Sequence, residues 1–178
     1  MRTEASAERI REFLRRFGRA VRGPGTVFLT GGATALLLGW RTATLDIDLS
    51  MDPEPRGAFE AIARLKEDLD LNVEIVSPAD FIPRLPGWRE RCLFIESVGD
   101  VRFFHYDPCS QALSKLERGH ERDLEDVRQM IRRSLVRTDD LLRLLAAVEP
   151  DLLRFPALDA AEFRRKVEEF VSSIESGP

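Results

Sequence analysis

A chain of 178 residues suits one domain with at most a small helical appendage, and its 43% hydrophobic and 33% charged residues are enough to bury a core and keep it dissolved. No apolar run is long and uncharged enough for a membrane-spanning helix, and the charged start Met1-Arg2-Thr3-Glu4 is unlike a signal peptide, so a cytoplasmic protein with no membrane partner is expected. The net charge of −4 argues against indiscriminate coating of nucleic acid but leaves room for a local basic patch; Cys92 and Cys109 lack metal-ligand spacing and are expected as free thiols, and two distant histidines argue against a His-rich zinc site.

Residues 4–22 carry Ile10, Phe13, Leu14, Phe17 and Val21 at helical spacing, and Gly23-Pro24-Gly25 ends that helix. Thr26–Thr30 reads as a short buried strand, and Gly31-Gly32 turns it into a helix-forming stretch that closes at Gly39. Leu45-Asp46-Ile47-Asp48-Leu49 alternates apolar and acidic, the pattern of a strand with both acids on one face. A helix over 56–68 follows Pro53 and Pro55, with Phe59, Ile62, Ala63 and Leu65 expected on its buried side. Leu71–Val76 is a strand, and Cys92–Val98 with Val101–Tyr106 forms a hairpin turned at Gly99-Asp100.

From Pro108 the pattern is helical, over about 109–118, 121–135, 138–148 and 159–175, with Thr138 and Asp159 as expected N-caps. The fold class is therefore α/β: a mixed sheet flanked by helices over 1–107, followed by a helical region, 108–178, packed on that core.

Asp46 and Asp48, two apart on a strand, aim two carboxylates at one point, which suits a hard divalent ion that takes oxygen ligands. A solvated alternating strand explains an isolated Asp-x-Asp equally well. Gly31-Gly32 lies at a strand-to-helix turn, where a phosphate can approach bare backbone; a simple tight turn is the plain alternative. The order strand, Gly-Gly, helix, acidic strand can hold a triphosphate at the glycines and its metal at the acids, and is more specific than either part.

Two stretches carry a resemblance: Phe28-Leu29-Thr30-Gly31-Gly32-Ala33-Thr34-Ala35-Leu36 and Arg41-Thr42-Ala43-Thr44-Leu45-Asp46-Ile47-Asp48-Leu49. They resemble the signature of nucleotidyltransferase-fold proteins, nearest to the AbiEii-like toxins of type IV toxin–antitoxin systems and their prokaryotic relatives. Lys115-Leu116-Glu117-Arg118 and Arg122-Asp123-Leu124-Glu125-Asp126 resemble that group's Lys-x-x-Arg and Arg-Asp-x-x-Asp motifs. The resemblance spans about residues 27–131 and implies a third acid on the next core strand. Only Glu74 fits that place, where aspartate is more usual, and an exposed edge-strand glutamate is the equal alternative.

By this resemblance Asp46, Asp48 and Glu74 are the metal-binding and catalytic acids, with Lys115 as a further catalytic residue. Gly31, Gly32, Arg41, Thr44, Arg118, Arg122, Asp123 and Asp126 are the nucleotide-binding set. For Arg118 and Arg122 a solvated helix face is an equal reading, and Asp123 with Asp126 either orients Lys115 or Arg41 or forms plain ion pairs. The implied activity moves a nucleoside monophosphate from a nucleoside triphosphate, with Mg²⁺ or Mn²⁺, to an RNA or protein acceptor, with a cognate antitoxin as a further partner. A catalytically inactive nucleotide- or partner-binding module of the same fold is the alternative, and a small-molecule nucleotidyltransferase ranks below both. His105 and His120 are expected to be structural.

Overall fold

The computed structural model describes residues 4–177, so the expectation about the first three residues lies outside the described part. In chain order come α1 (Ala7–Ala20), β1 (Gly25–Thr30), α2 (Gly31–Leu37), β2 (Asp46–Met51), α3 (Ala58–Asp68), β3 (Asn72–Ile75), β4 (Leu93–Val98) and β5 (Val101–His105). The helices α4 (Pro108–Arg118), α5 (Glu121–Arg132), α6 (Thr138–Val148) and α7 (Ala160–Glu175) complete it, with 3-10 turns at Pro78–Asp80, Arg89–Arg91 and Glu149–Arg154. This is the mixed α/β sheet and trailing helical region that the sequence pattern implies. Two compact units emerge: one takes the chain up to Ser77 together with Cys92–Tyr106, the other takes Pro78–Arg91 and everything from Asp107 onward.

In the first unit, Ser6 caps α1 by accepting a hydrogen bond from the Arg9 N–H, and Ile10, Phe13, Leu14 and Phe17 form its buried stripe. The sheet order is β3-β2-β1-β5-β4. β1 is buried throughout, running antiparallel to β2 and parallel to β5, while β2 and β3 are parallel and β4 and β5 form an antiparallel pair. Residues in register share a face, which sorts the side chains into two sets. Val27, Leu29, Ile47, Leu49, Val73 and Phe103 join Phe13 and Phe17 of α1 and Ala61, Ile62 and Leu65 of α3 in one hydrophobic core. The Phe17 and Phe103 rings meet edge to face at 6.2 Å, and each buried ring of this kind contributes about 1.5–3 kcal/mol by leaving water. The opposite face carries Phe28, Thr30, Asp46, Asp48, Asn72, Glu74 and Phe104.

Some boundaries and faces differ from the sequence expectation. α3 begins at Ala58, after Gly57 in the left-handed conformation, and buries Ala58, Ala61, Ile62 and Leu65. Phe59 is instead 53% exposed. Ala63 is exposed as well, while Ile62 and Leu65 are buried as expected; the stripe 58/61/62/65 keeps helical spacing with Leu65, which 59 and 63 do not. Arg137, not Thr138, occupies the N-cap position of α6.

In the second unit α4 is the central helix, buried from Pro108 through Leu116 and packed against α5, α6 and α7. Asp107 caps it, accepting from the Cys109 N–H at 3.0 Å and the Ser110 hydroxyl at 2.7 Å. The fully buried Asp107 carboxylate also receives both arms of the Arg91 guanidinium, at 2.9 and 2.7 Å, which ties the segment before β4 to the start of α4. Gly119, at φ +71°, ends α4 and lets α5 turn back along it. Asp159 caps α7 by accepting from the Glu162 N–H. Cys92 and Cys109 are thiols, not joined in a disulfide.

Candidate functional site

The sheet face away from the hydrophobic core gathers most of the polar residues singled out in the first unit. β1 ends at Thr30, and Gly31 at φ +61° swings the chain into α2. Two separate physical reasons require glycine here. The left-handed backbone disfavours any residue with a Cβ, and a Cβ at Gly31 would stand 2.4 Å from Asp48 Oδ2. At Gly32 a Cβ would come within 2.0 Å of the Thr44 hydroxyl and 3.4 Å of Arg41 Nη1. The glycine turn therefore lies flush against Asp48, Thr44 and Arg41.

Those neighbours are fixed in turn. Thr44 donates its hydroxyl to the Asp46 carbonyl at 3.1 Å, and its backbone exchanges two hydrogen bonds with Ala5, which pins the loop before β2. Behind the turn, Thr34 of α2 donates its hydroxyl to the Leu29 carbonyl at 3.2 Å, and His105 Nδ1 lies 3.1 Å from the Thr34 hydroxyl oxygen. The tautomer with its hydrogen on Nδ1 can donate to that hydroxyl while the hydroxyl donates to Leu29. Burial lowers the His105 pKa to about 4, so the ring is neutral near pH 7 and acts as a fixed strut between β5 and α2.

Asp46 and Asp48 project from the same face of β2, while Ile47 between them and Leu49 beyond point into the core. Asp48 pairs in register with Thr30 on one side and Glu74 on the other, and Asp46 pairs with Asn72. The Asn72 amide donates to Asp46 Oδ1 at 2.6 Å and to Glu74 Oε1 at 3.2 Å. Among the described residues, neither Asp46 nor Glu74 has a cation within ion-pair range; their common partner is this neutral amide.

Among the described residues no three or more His, Cys, Asp or Glu side chains gather closely enough to hold a metal ion by themselves. Asp46 and Asp48 nonetheless offer an all-oxygen pair beside a turn built of two glycines. That fits a small divalent ion such as Mg²⁺, which commonly takes one or two carboxylates and fills its other positions with water and phosphate oxygens.

The remaining singled-out residues belong to the second unit. Lys115, 3% exposed, gives Asp123 and Asp126 hydrogen bonds of 2.9 and 2.7 Å, which joins α4 to α5. Arg118 adds a 2.8 Å bond to Asp123 and lies over the Phe81 ring at 5.8 Å, and Arg122 is exposed. Burial alone would push the Asp123 carboxyl up; the Lys115 ammonium and the Arg118 guanidinium outweigh it and hold it below the usual carboxylate range.

Asn72 and the His105–Thr34 strut were not singled out from sequence. Asn72 had a signal, since it alternates in step with Glu74 on the strand beside the acids. The strut joins residues 71 positions apart and had none.

A mixed sheet whose two acids face a strand–glycine–helix turn, flanked and followed by helices, defines the class as nucleotidyltransferase-like. The family model described as "Nucleotidyltransferase of unknown function (DUF6036)" matches residues 9–174, and the chain belongs to that family. No curated protein and no solved structure matches the chain. Among the described residues no helix is long and apolar enough to cross a membrane.

Proposed function

We propose that the protein transfers a nucleoside monophosphate from a nucleoside triphosphate to a hydroxyl on an RNA or protein acceptor. The supporting observation is the close packing of the Asp48 carboxylate on Gly31, where a Cβ would stand 2.4 Å from Oδ2, which sets the acidic strand directly against the strand–glycine–helix turn. Asp46 and Asp48 would hold Mg²⁺ or Mn²⁺, which when bound neutralises charge developing on the phosphates. Arg41 and Thr44, at the glycine turn, orient the triphosphate. Glu74, the exposed acid beside Asp48, takes the proton of the acceptor hydroxyl as its oxygen bonds to the α-phosphorus. The bond from the α-phosphorus to the bridging oxygen breaks, and pyrophosphate leaves.

In this reading Lys115, Asp123 and Asp126 hold α4 to α5. Support comes from their burial and mutual hydrogen bonds. A role like that of the AbiEii-like toxins, with a cognate antitoxin as partner, is a further part of the proposal.

The test incubates the protein with each α-labelled nucleoside triphosphate, Mg²⁺ and total RNA or lysate, beside an Asp46→Ala/Asp48→Ala variant. Label transferred by the wild type and lost in the variant supports the enzyme. Absence of transfer under every nucleotide sinks it. A second reading, a nucleotide-binding module without catalysis, is favoured by the engagement of Glu74 with Asn72. Metal-dependent nucleotide binding without transfer would establish it. Growth arrest on expression, relieved by a co-expressed neighbouring gene, tests the toxin role.

A further inference from the structure

The Asn72 amide occupies the position that decides how many carboxylates Asp46 can share an ion with. One nitrogen, Nδ2, bonds Asp46 Oδ1 at 2.6 Å and Glu74 Oε1 at 3.2 Å. Strand register enforces this, because Asn72 lies opposite Asp46 and Glu74 opposite Asp48, all on one face. The bond to Asp46 fixes the plane of that carboxylate and uses Oδ1. The bond to Glu74 holds the third acid on the neutral amide. Among the described residues these acids do not assemble into a three-membered metal cluster.

We infer that Asn72 is a positioning residue that orients Asp46 and holds the site at two carboxylates, so that a divalent ion binds well only when it arrives with a nucleoside triphosphate. The inference rests on the metal-dependent reading above and deepens it. Two carboxylates beside a half-buried strand supply too few ligands for a bare ion; the phosphate oxygens of the nucleotide complete the set. Partners that orient a metal ligand typically contribute about 10–100-fold to metal affinity. Asn72 is half-buried near the start of a short edge strand, so its replacement leaves the core intact.

The experiment follows protein-bound Mn²⁺ by its enhancement of water-proton relaxation, with and without a nucleoside triphosphate analogue carrying a methylene bridge between the α- and β-phosphorus. It needs no turnover. The wild type is expected to bind Mn²⁺ at least about 10-fold more tightly with the analogue than alone. Asn72→Ala should weaken Mn²⁺–analogue binding by about 10–100-fold. Asn72→Asp, which places a carboxylate opposite Asp46, should tighten the binding of Mn²⁺ alone by about 10-fold or more, since affinity rises with ligand charge. Circular dichroism verifies that each variant is folded.

Equal wild-type affinity with and without the analogue overturns the inference, as does an unchanged affinity in both Asn72 variants. An Asp46→Asn/Asp48→Asn variant that binds Mn²⁺–analogue as well as the wild type overturns the metal reading itself. That outcome is distinguishable because it does not involve Asn72.

Discussion

Asp46, Asp48 and Glu74 on the sheet and Asp107, Asp123 and Asp126 among the helices are the same functional group in opposite settings. The helical acids are buried, and each meets a cation: Arg91 for Asp107, Lys115 and Arg118 for Asp123, Lys115 for Asp126. On the sheet, Asp46 and Glu74 share one neutral amide, and Asp48 lies against a bare glycine. A carboxylate removed from water demands a counter-charge, and the helical unit supplies one at every position. Acids clustered on one strand face repel one another, and a bound cation relieves that repulsion. Matched acids hold a fold together, whereas Asp46 and Glu74 share an amide that brings no charge.

The sharpest way to break this comparison is to remove acids from each region and read two quantities, transfer and stability. Asp46→Ala/Asp48→Ala should lower nucleotidyl transfer by roughly a thousandfold or more in the labelled-nucleotide assay. Its urea midpoint should fall much less than that of a variant in the helical unit, because both acids are only half-buried. A large loss of stability there would collapse the distinction. Lys115→Met should do the reverse, costing about 3–5 kcal/mol in urea unfolding, because Asp126 is left buried without its cation.

pH sharpens the contrast within the sheet unit. The folded-state pKa of His105 lies near 4, below the ordinary 6.5, so the unfolded chain binds the proton more readily. Stability from this residue is complete above about pH 6.5 and is lost as the pH falls toward 4, by roughly 3 kcal/mol. A His105→Gln variant should show a flatter stability profile across that window in denaturant titrations. Asp123 has the same sign: its depressed pKa makes a contribution that is present above the ordinary carboxylate range and lost on stronger acidification. Gly31→Ala is expected to cost at least about 1–2 kcal/mol from the left-handed backbone, with the displacement of the Asp48 carboxylate added, read as a lowered thermal midpoint. A variant with an unchanged midpoint would mean that the turn relaxes around the new methyl group.

Local pattern carried most of the fold. The stripe of α1, the Asp46/Asp48 face and the Asp159 cap follow from spacing over a few residues. The strand of the acids starts at Asp46 rather than Leu45, which is 56% exposed, and runs on to Met51 because β1 offers partners as far as Val27. That extension is set by pairing, which a single segment does not reveal. The order β3-β2-β1-β5-β4, with β5 arriving parallel to β1 from far along the chain, is likewise beyond local periodicity. At the site, residue types at the glycine turn and the acidic strand were readable. The contacts that fix them, Asn72 across strands and His105 to Thr34, depend on tertiary register.

The alternation of β2 has one more consequence. Ile47 and Leu49 are fully buried in the core, and Asp46 and Asp48 lie between and beside them. A strand slip of one residue would exchange the two sets and drive both carboxylates into the hydrocarbon interior, costing many kcal/mol. The chain therefore has no folded state in which this strand is docked and its acids point the wrong way. Folding itself proofreads the site: any molecule that completes the sheet core has, by the same act, turned both aspartates outward.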